Sequence, residues 1–270
     1  MEIKFSKLTA AGNDFVLIDN RENIILEKDY QSLAKKLCDR KYSIGGDGLI
    51  LLGKSSCRDF KMKYFNCDGS HASMCGNGGR SVAKFAYDLG IVHSKMVFET
   101  DAGVINAEIL ADNRVKLDLY DPKDLKRNIK VETSDRIFDI DFINTGVPHA
   151  VIFVDDIEKI DVFKYGREIR YHEIFAPFGT NVNFVKLTDE SILLVRTYER
   201  GVEGETLACG TGIAASGIIS VLKGFAKSPV HVIARGGDRL SISMSVDNDK
   251  VSSIVLEGST IISFKGIVKV

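Results

Sequence analysis

The chain of 270 residues has almost no excess of charge, with 36 lysines and arginines against 37 aspartates and glutamates. Nucleic acid and anionic membrane select basic surfaces, so neither is expected as a main partner. The first residues, Met1-Glu2-Ile3-Lys4-Phe5-Ser6-Lys7, lack the apolar core of a signal peptide. No apolar run reaches membrane-spanning length either. Leu207 to Leu222 falls short of the roughly 20 residues a bilayer needs and is rich in small side chains, so it reads as a helix buried on all sides. The five cysteines, Cys38, Cys57, Cys67, Cys75 and Cys209, contain no CxxC pair. An odd count without a signal argues against a disulfide scaffold and for a reduced, cytoplasmic protein. His71, His93, His149, His172 and His231 are scattered, and no Cys/His cluster shows zinc spacing, so no metal site is expected. Gly45-Gly46-Asp47-Gly48 and Cys75 to Gly79 match neither GxxxxGK[ST] nor an intact GxGxxG, which leaves no phosphate loop.

The cysteines divide by context. Cys38 follows Tyr30, Leu33, Ala34 and Leu37 at helical spacing and is expected on a buried helix face. Cys57 and Cys67 are expected to be small buried hydrophobes too. Cys75-Gly76-Asn77-Gly78 and Cys209-Gly210-Thr211-Gly212 are different: each opens an apolar helix-like run, and they stand 134 positions apart (209 minus 75). The same offset carries Gly12 onto Gly146, Gly45 onto Gly179, Asp47 onto Asn181, Ile50 onto Phe184, Phe98 onto Val232 and Gly103 onto Gly237. The chain is therefore read as an internal duplication with one cysteine at an equivalent place in each copy.

Most of it reads as strand. Residues 15–18, 48–52, 62–65, 96–99, 194–198 and 230–234 are short apolar or β-branched runs. Hairpin tips are expected at Asp112-Asn113 and Asp247-Asn248. Helices are expected over 81–89 and 213–219, the first with one wetter edge for Lys84 and Asp88, the second apolar all round. The predicted fold is α+β, with two pseudo-symmetric domains. Each is a curved, mostly antiparallel, barrel-like sheet wrapped around a central helix. The first domain spans 1–120 plus a returning C-terminal strand, 258–270, and the second spans 121–257. Asp121-Pro122 marks the boundary, since proline restricts both itself and the residue before it.

A pseudo-twofold arrangement of this kind would let the two cysteines face each other across a shared cleft. Two thiols on opposite sides of one carbon suit removal of a proton from one face and its return to the other, which is racemisation or epimerisation. A helix start favours thiolate through its dipole and N–H groups. Two such starts also make a carboxylate site, where N–H donors stabilise the charge that develops when an α-proton leaves.

The motifs resemble those of the diaminopimelate epimerase family. The matching segments are Asn66-Cys67-Asp68-Gly69-Ser70, Met74-Cys75-Gly76-Asn77-Gly78-Gly79-Arg80, Glu199-Arg200-Gly201 and Gly204 to Gly212. Gly12-Asn13-Asp14-Phe15 and Gly146-Val147-Pro148-His149 fit as well. The resemblance implies a two-domain enzyme that interconverts LL- and meso-diaminopimelate without pyridoxal phosphate, metal or other cofactor. Cys75 and Cys209 would be the acid–base pair. Gly76, Asn77, Gly210 and Thr211 would hold the reacting carboxylate through backbone N–H groups. Asn13, Asn66, Asn181 and Arg200 would hold the distal end, with Glu199 and His149 poising the thiols or binding an ammonium. Asp47 is expected to brace a loop. Its only partner need be the small-molecule substrate, and a homodimer is left open. Two departures stand out: Val147 replaces an asparagine of many members, and Glu203 lies in a loop that some members have one residue shorter. The rival reading is a proline racemase or hydroxyproline epimerase, but that family has His where this chain has Asn77, and its cyclic substrate offers no distal charge to Arg200. A non-catalytic amino-acid-binding protein is the alternative of another class.

Overall fold

The structure is a computed structural model that describes residues 1–188 and 192–270. The chain divides into two compact units, Met1–Asp118 with Glu257–Val270, and Leu119–Leu256. Alternating burial along the strands, as in Phe60–Asn66, places one face of each sheet in a core and the other in solvent.

The first unit contains β1 (Glu2–Ala10), β2 (Asn13–Asp19), α1 (Tyr30–Cys38), β3 (Gly48–Gly53), β4 (Phe60–Asn66), β5 (His71–Ala72), α2 (Gly76–Asp88), β6 (Lys95–Thr100), β7 (Gly103–Ile109) and β8 (Val115–Asp118). β2 and β3 pair in parallel, as do β4 and β6, while β1–β2, β3–β4, β6–β7 and β7–β8 are antiparallel. The second unit follows the same plan with β9 (Lys123–Glu132), β10 (Ile137–Asn144), β11 (Pro148–Phe153), α3 (Val162–Arg170), β12 (Asn181–Leu187), β13 (Ile192–Glu199), β14 (Gly204–Thr206), α4 (Gly210–Leu222), β15 (Val230–Ala234), β16 (Arg239–Asp247) and β17 (Lys250–Gly258). Here too the crossovers β11–β12 and β13–β15 are parallel.

The duplication extends to backbone geometry. α2 and α4 begin and end 134 residues apart, and Gly12/Gly146, Gly45/Gly179 and Gly103/Gly237 all have positive φ in both copies. Gly90 and Gly224 form a further pair, at φ 70° and 74°, each just past the end of its helix, where the left-handed conformation stops a helix at little cost. The last strand, β18 (Ile261–Lys269), pairs antiparallel with β1 as β9 does with β10. The tail thus takes in the first unit the place of a segment that opens the second.

Glycine-rich α2 would be a poor helix in isolation. It forms because residues 76–83 are buried, with Val82, Phe85 and Ala86 in the core, while Lys84 and Asp88 pair at 2.5 Å along its one wetter edge. α4 is apolar on nearly every face and is packed on β10–β13, β15 and β16. The expected curved sheet around a central helix is present in the first unit, as an open barrel-like sheet. Among the described residues of the first unit, the series β18–β1–β2–β3–β4–β6–β7–β8 does not return on itself, and the sheet curves around α2 without closing.

Cys38 is buried at the end of α1, and burial pushes its thiol up to about 12. Cys57 and Cys67 are exposed, contrary to expectation. Both lie in loops flanking β4, where the backbone turns: Cys57 N–H donates to Ser55 Oγ, and Cys67 N–H donates to the Asp47 carbonyl. Turn chemistry outweighs hydrophobicity at both.

Candidate functional site

Each helix begins at a cysteine in extended conformation. Cys75 (φ −143°) caps α2, its Sγ accepting from Gly78 N–H at 3.5 Å, and Cys209 (φ −120°) caps α4. Gly76, Asn77, Gly210 and Thr211 are therefore the opening residues of their helices, with N–H groups that have no intrahelical acceptor. Close packing demands glycine here: a Cβ on Gly212 would lie 2.3 Å from Asn183 Oδ1, and one on Gly78 would press on Ile50 and Met62.

In the first unit, a chain of polar contacts leads away from the box. Arg80 Nη2 donates to Asn77 Oδ1 at 2.7 Å, Asn77 Nδ2 donates to Asn13 Oδ1 at 2.6 Å, and Asn13 Nδ2 donates to Asp47 Oδ2 at 2.9 Å. Asp47 also accepts from Asp14 N–H and from Arg40. Asp14 stands between Lys7 at 2.9 Å and Arg40 at 2.6 Å. Burial would raise its carboxyl, but these two cations outweigh burial and hold it below the ordinary range. Lys7 Nζ also reaches the Gly45 carbonyl, so the loop before β3 is tied to β1. Asn66 lies apart from this chain, with its Nδ2 on Ser70 Oγ at 2.9 Å.

In the second unit, Cys209 Sγ is 3.4 Å from Thr211 Oγ1, which is 2.9 Å from His149 Nε2. His149 Nδ1 meets Asn183 Nδ2 at 3.1 Å, and Asn183 Oδ1 accepts from Thr197 Oγ1 at 3.0 Å. His149 is completely buried, and burial, with Arg200 adding to it, drives the imidazole down to about 3, so it is neutral at physiological pH. Asn181 Oδ1 accepts from Arg200 N–H at 2.8 Å, and its Nδ2 donates to the Pro148 carbonyl. Glu199 accepts from Thr206 Oγ1 at 2.9 Å. Arg200 donates to the Phe178 carbonyl at 3.2 Å and lines a cavity of about 550 Å³ with Asn144, Pro148 and Gly179. Burial and the nearby Arg170 both lower its basicity, a cost that an anionic ligand would relieve. Glu203 (φ 56°) is pinned by Arg170 at 3.1 Å and by Gly201 N–H at 3.0 Å.

The residues expected at the site thus fall into two groups, Asn13, Gly76 and Asn77 around Cys75, and His149, Gly210 and Thr211 around Cys209. Asn181, Glu199 and Arg200 lie at adjoining strand ends of the second unit. Asn183, Thr197, Arg80 and Arg40 are partners that sequence reading missed. Asn183 had a signal: Asn181 and Asn183 are two apart in a strand that is buried from Asn181 to Val185, so both project from one face, where an amide must find partners. Among the described residues no group of three or more His, Cys, Asp or Glu is placed to hold a metal ion, and no helix is long and apolar enough to cross a membrane.

The neutral His149 carries a consequence for stability. Its folded-state value lies below the unfolded 6.5, so as pH falls below 6.5 the unfolded chain takes up the proton first and stability is lost down to about pH 3. The slope is about 1.4 kcal/mol per pH unit. Urea unfolding at pH 7 and pH 5 should show wild type losing about 2 kcal/mol more than His149→Asn. Equal losses would mean that His149 titrates normally in the fold.

The model of the family described as diaminopimelate epimerase matches residues 5–123 and 142–262. A diaminopimelate epimerase of Hydrogenobaculum sp. (strain Y04AAS1) is 47% identical over 97% of this chain and 97% of its own length. That of Aquifex aeolicus is 46% identical over 98% and 97%. Among solved structures, a Bacillus anthracis phenazine biosynthesis protein of the PhzF family superposes with TM-score 0.76 at 17% identity, covering all of both chains. A hydroxyproline epimerase from Agrobacterium vitis does so with TM-score 0.72 at 13% identity, covering 99% of this chain and 92% of its own. At such identities these two establish the fold alone.

Proposed function

The chain belongs to the diaminopimelate epimerase family, and from that membership we propose that it interconverts LL- and meso-diaminopimelate, with Cys75 and Cys209 as its acid–base pair and no cofactor. The observation that carries the reading is the equivalence of the two cysteines, each an extended N-cap of a buried helix at the same repeat position. One sulfur, as thiolate, takes the α-proton and becomes a thiol. The other, as thiol, delivers its proton to the opposite face and becomes the thiolate. The sum is inversion at one carbon with no net proton change. Electron density that passes onto the α-carboxylate during the step is met by the N–H groups of Gly76, Asn77, Gly210 and Thr211, which need an acceptor in any case. The scheme requires both sulfurs to reach one carbon.

Arg200 is assigned to the distal carboxylate, where its planar fork matches two oxygens, with Asn13, Asn66 and Asn181 as amide partners of the distal end and Glu199 beside the thiol chemistry. His149, neutral and buried, acts through Thr211 rather than as a charged group. Val147 removes one amide from the distal set, and the reading leaves that contact to the others. The rival cyclic-substrate reading gains nothing from Asn77, which is committed to Asn13 and Arg80. A cytoplasmic setting suits five cysteines outside any disulfide framework. Association as a homodimer belongs to the same proposal, supported by the exposed Ile261, Phe264 and Ile267 of β18.

Proton NMR of LL-diaminopimelate in D2O with reduced protein and no added cofactor should show loss of one α-proton signal and growth of the meso isomer. Cys75→Ala and Cys209→Ala should each abolish it, and near-normal turnover in either would end the two-base scheme. Arg200→Ala should weaken diaminopimelate binding by about 10- to 100-fold, the worth of a charge-assisted contact, and should spare a single-carboxylate amino acid. Equal losses for both ligands would move Arg200 out of the distal site. Sedimentation should give twice the 29.8 kDa chain mass, and a single-chain mass would remove the dimer.

A further inference from the structure

The polar chain behind Cys209 has a direction that follows from which of its atoms can donate. Asn183 Nδ2 lies 3.0 Å from the Ala150 carbonyl, which only accepts, so that atom is the amide nitrogen. Thr197 Oγ1 on the other amide atom agrees, since a hydroxyl can donate to Oδ1. The second N–H of Asn183 then points at His149 Nδ1, which must be unprotonated to receive it. The hydrogen of the neutral imidazole therefore sits on Nε2 and is donated to Thr211 Oγ1. With its oxygen accepting from His149, the Thr211 hydroxyl keeps its own hydrogen for another acceptor, and Cys209 Sγ is 3.4 Å away.

We propose that Thr211 is a positioning residue whose hydroxyl hydrogen is aimed at Cys209 Sγ by the fixed tautomer of His149, favouring thiolate over thiol at that cysteine. In the other tautomer Thr211 would donate to His149 and turn an oxygen lone pair toward Cys209 Sγ. The rest of the network keeps the alternative closed. Thr145 Oγ1 donates to the Thr211 carbonyl at 2.9 Å, and the space beside Asn183 Oδ1 is filled to the point that Gly212 has no room for a Cβ. The first unit has no counterpart of this device. At the equivalent positions stand Asn77 for Thr211, Phe15 for His149 and Leu49 for Asn183. The two repeat positions thus differ, Asn77 being bonded to Asn13 and Arg80, whereas Thr211 meets a neutral imidazole and Cys209 Sγ.

The inference deepens the proposed two-base reading and rests on it only for its use in turnover. The thiol can be examined without substrate. The charged or titratable groups on elements packed against α4 are His149 on β11, Arg196, Tyr198 and Glu199 on β13 with Arg200 just past its end, Lys186 on β12, His231 on β15, Arg239 and Asp247 on β16, and Asp139 and Asp141 on β10, with Asp141 paired to Lys223 at the far end of the helix. All of them stay in place when Thr211 alone is changed.

The test is alkylation by iodoacetamide across a pH series, with Cys209 and Cys75 resolved by peptide mass spectrometry, in wild type, Thr211→Val and Thr211→Ser. Valine keeps the shape and loses the hydroxyl, so the midpoint for Cys209 should rise by about one pH unit, the effect of one hydrogen bond to a charged group. Serine should restore it, and Cys75 should not move. If shielding slows alkylation, the pH dependence of thiolate ultraviolet absorbance in a Cys75→Ala background, with and without Thr211→Val, reads the same quantity. An unchanged Cys209 midpoint in Thr211→Val, or an equal rise at Cys75, would overturn the inference. Shifted thiol titration in a protein that does not exchange the α-proton of diaminopimelate would instead keep the inference and sink the proposed reaction.

Discussion

Everything at the site depends on a helix start held where its first N–H groups find no carbonyl of their own chain. Those groups are obligatory donors, and the buried glycines of Gly76–Gly79 and Gly210–Gly212 keep side chains from covering them. A cysteine placed as N-cap sits at the positive end of that array. The sheet supplies the rest, because only burial among strands makes such glycine-rich or wholly apolar segments helical at all. Fold and chemistry therefore share one cause in both copies.

Duplication gave the copies the same frame and different polar interiors. In the first, carboxylates of Asp14 and Asp47 are shared between Lys7 and Arg40, and the charges balance around Asn13. In the second, Asp47 becomes Asn181, Asp14 becomes Pro148 and Arg40 becomes Ile174, and the polar interior is instead a chain of neutral groups, Asn183, His149 and Thr197. Neutral networks cost less to bury than unpaired ions but must be fully satisfied to be tolerated. That requirement is what fixes the orientation of Asn183 and hence the tautomer of His149.

Much of the fold was legible because strands and helices carry their own periodicity. Residues 230–234 read as a strand and are one, and 48–52 lies within β3. The helices were read several residues short, since Gly76–Arg80 and Gly210–Gly212 have no apolar rhythm, and their helicity comes from packing. The curved, barrel-like sheet was legible too, but alternation reports which face is wet and is silent on whether the last strand meets the first. Cys57 and Cys67 show the same limit: a cysteine's type suggests burial, but the turn that holds it decides. At the site, the boxes and Arg200 were visible as motifs, whereas Asn183 and Thr197 were hidden, each looking like an ordinary polar residue in a strand until the register set them beside His149.

The pairing of β1 with β18 has a temporal side. Glu2 lies opposite Lys269, so the first strand of the chain waits for the last before its outer edge is satisfied. On a ribosome the whole second unit emerges in the interval, and closing so long a loop also carries the largest entropic cost in the topology. The usual order, in which the leading domain finishes before the trailing one, is inverted. The unit that is made first is completed last, and an exposed β1 edge must be kept from other strands for the length of one synthesis.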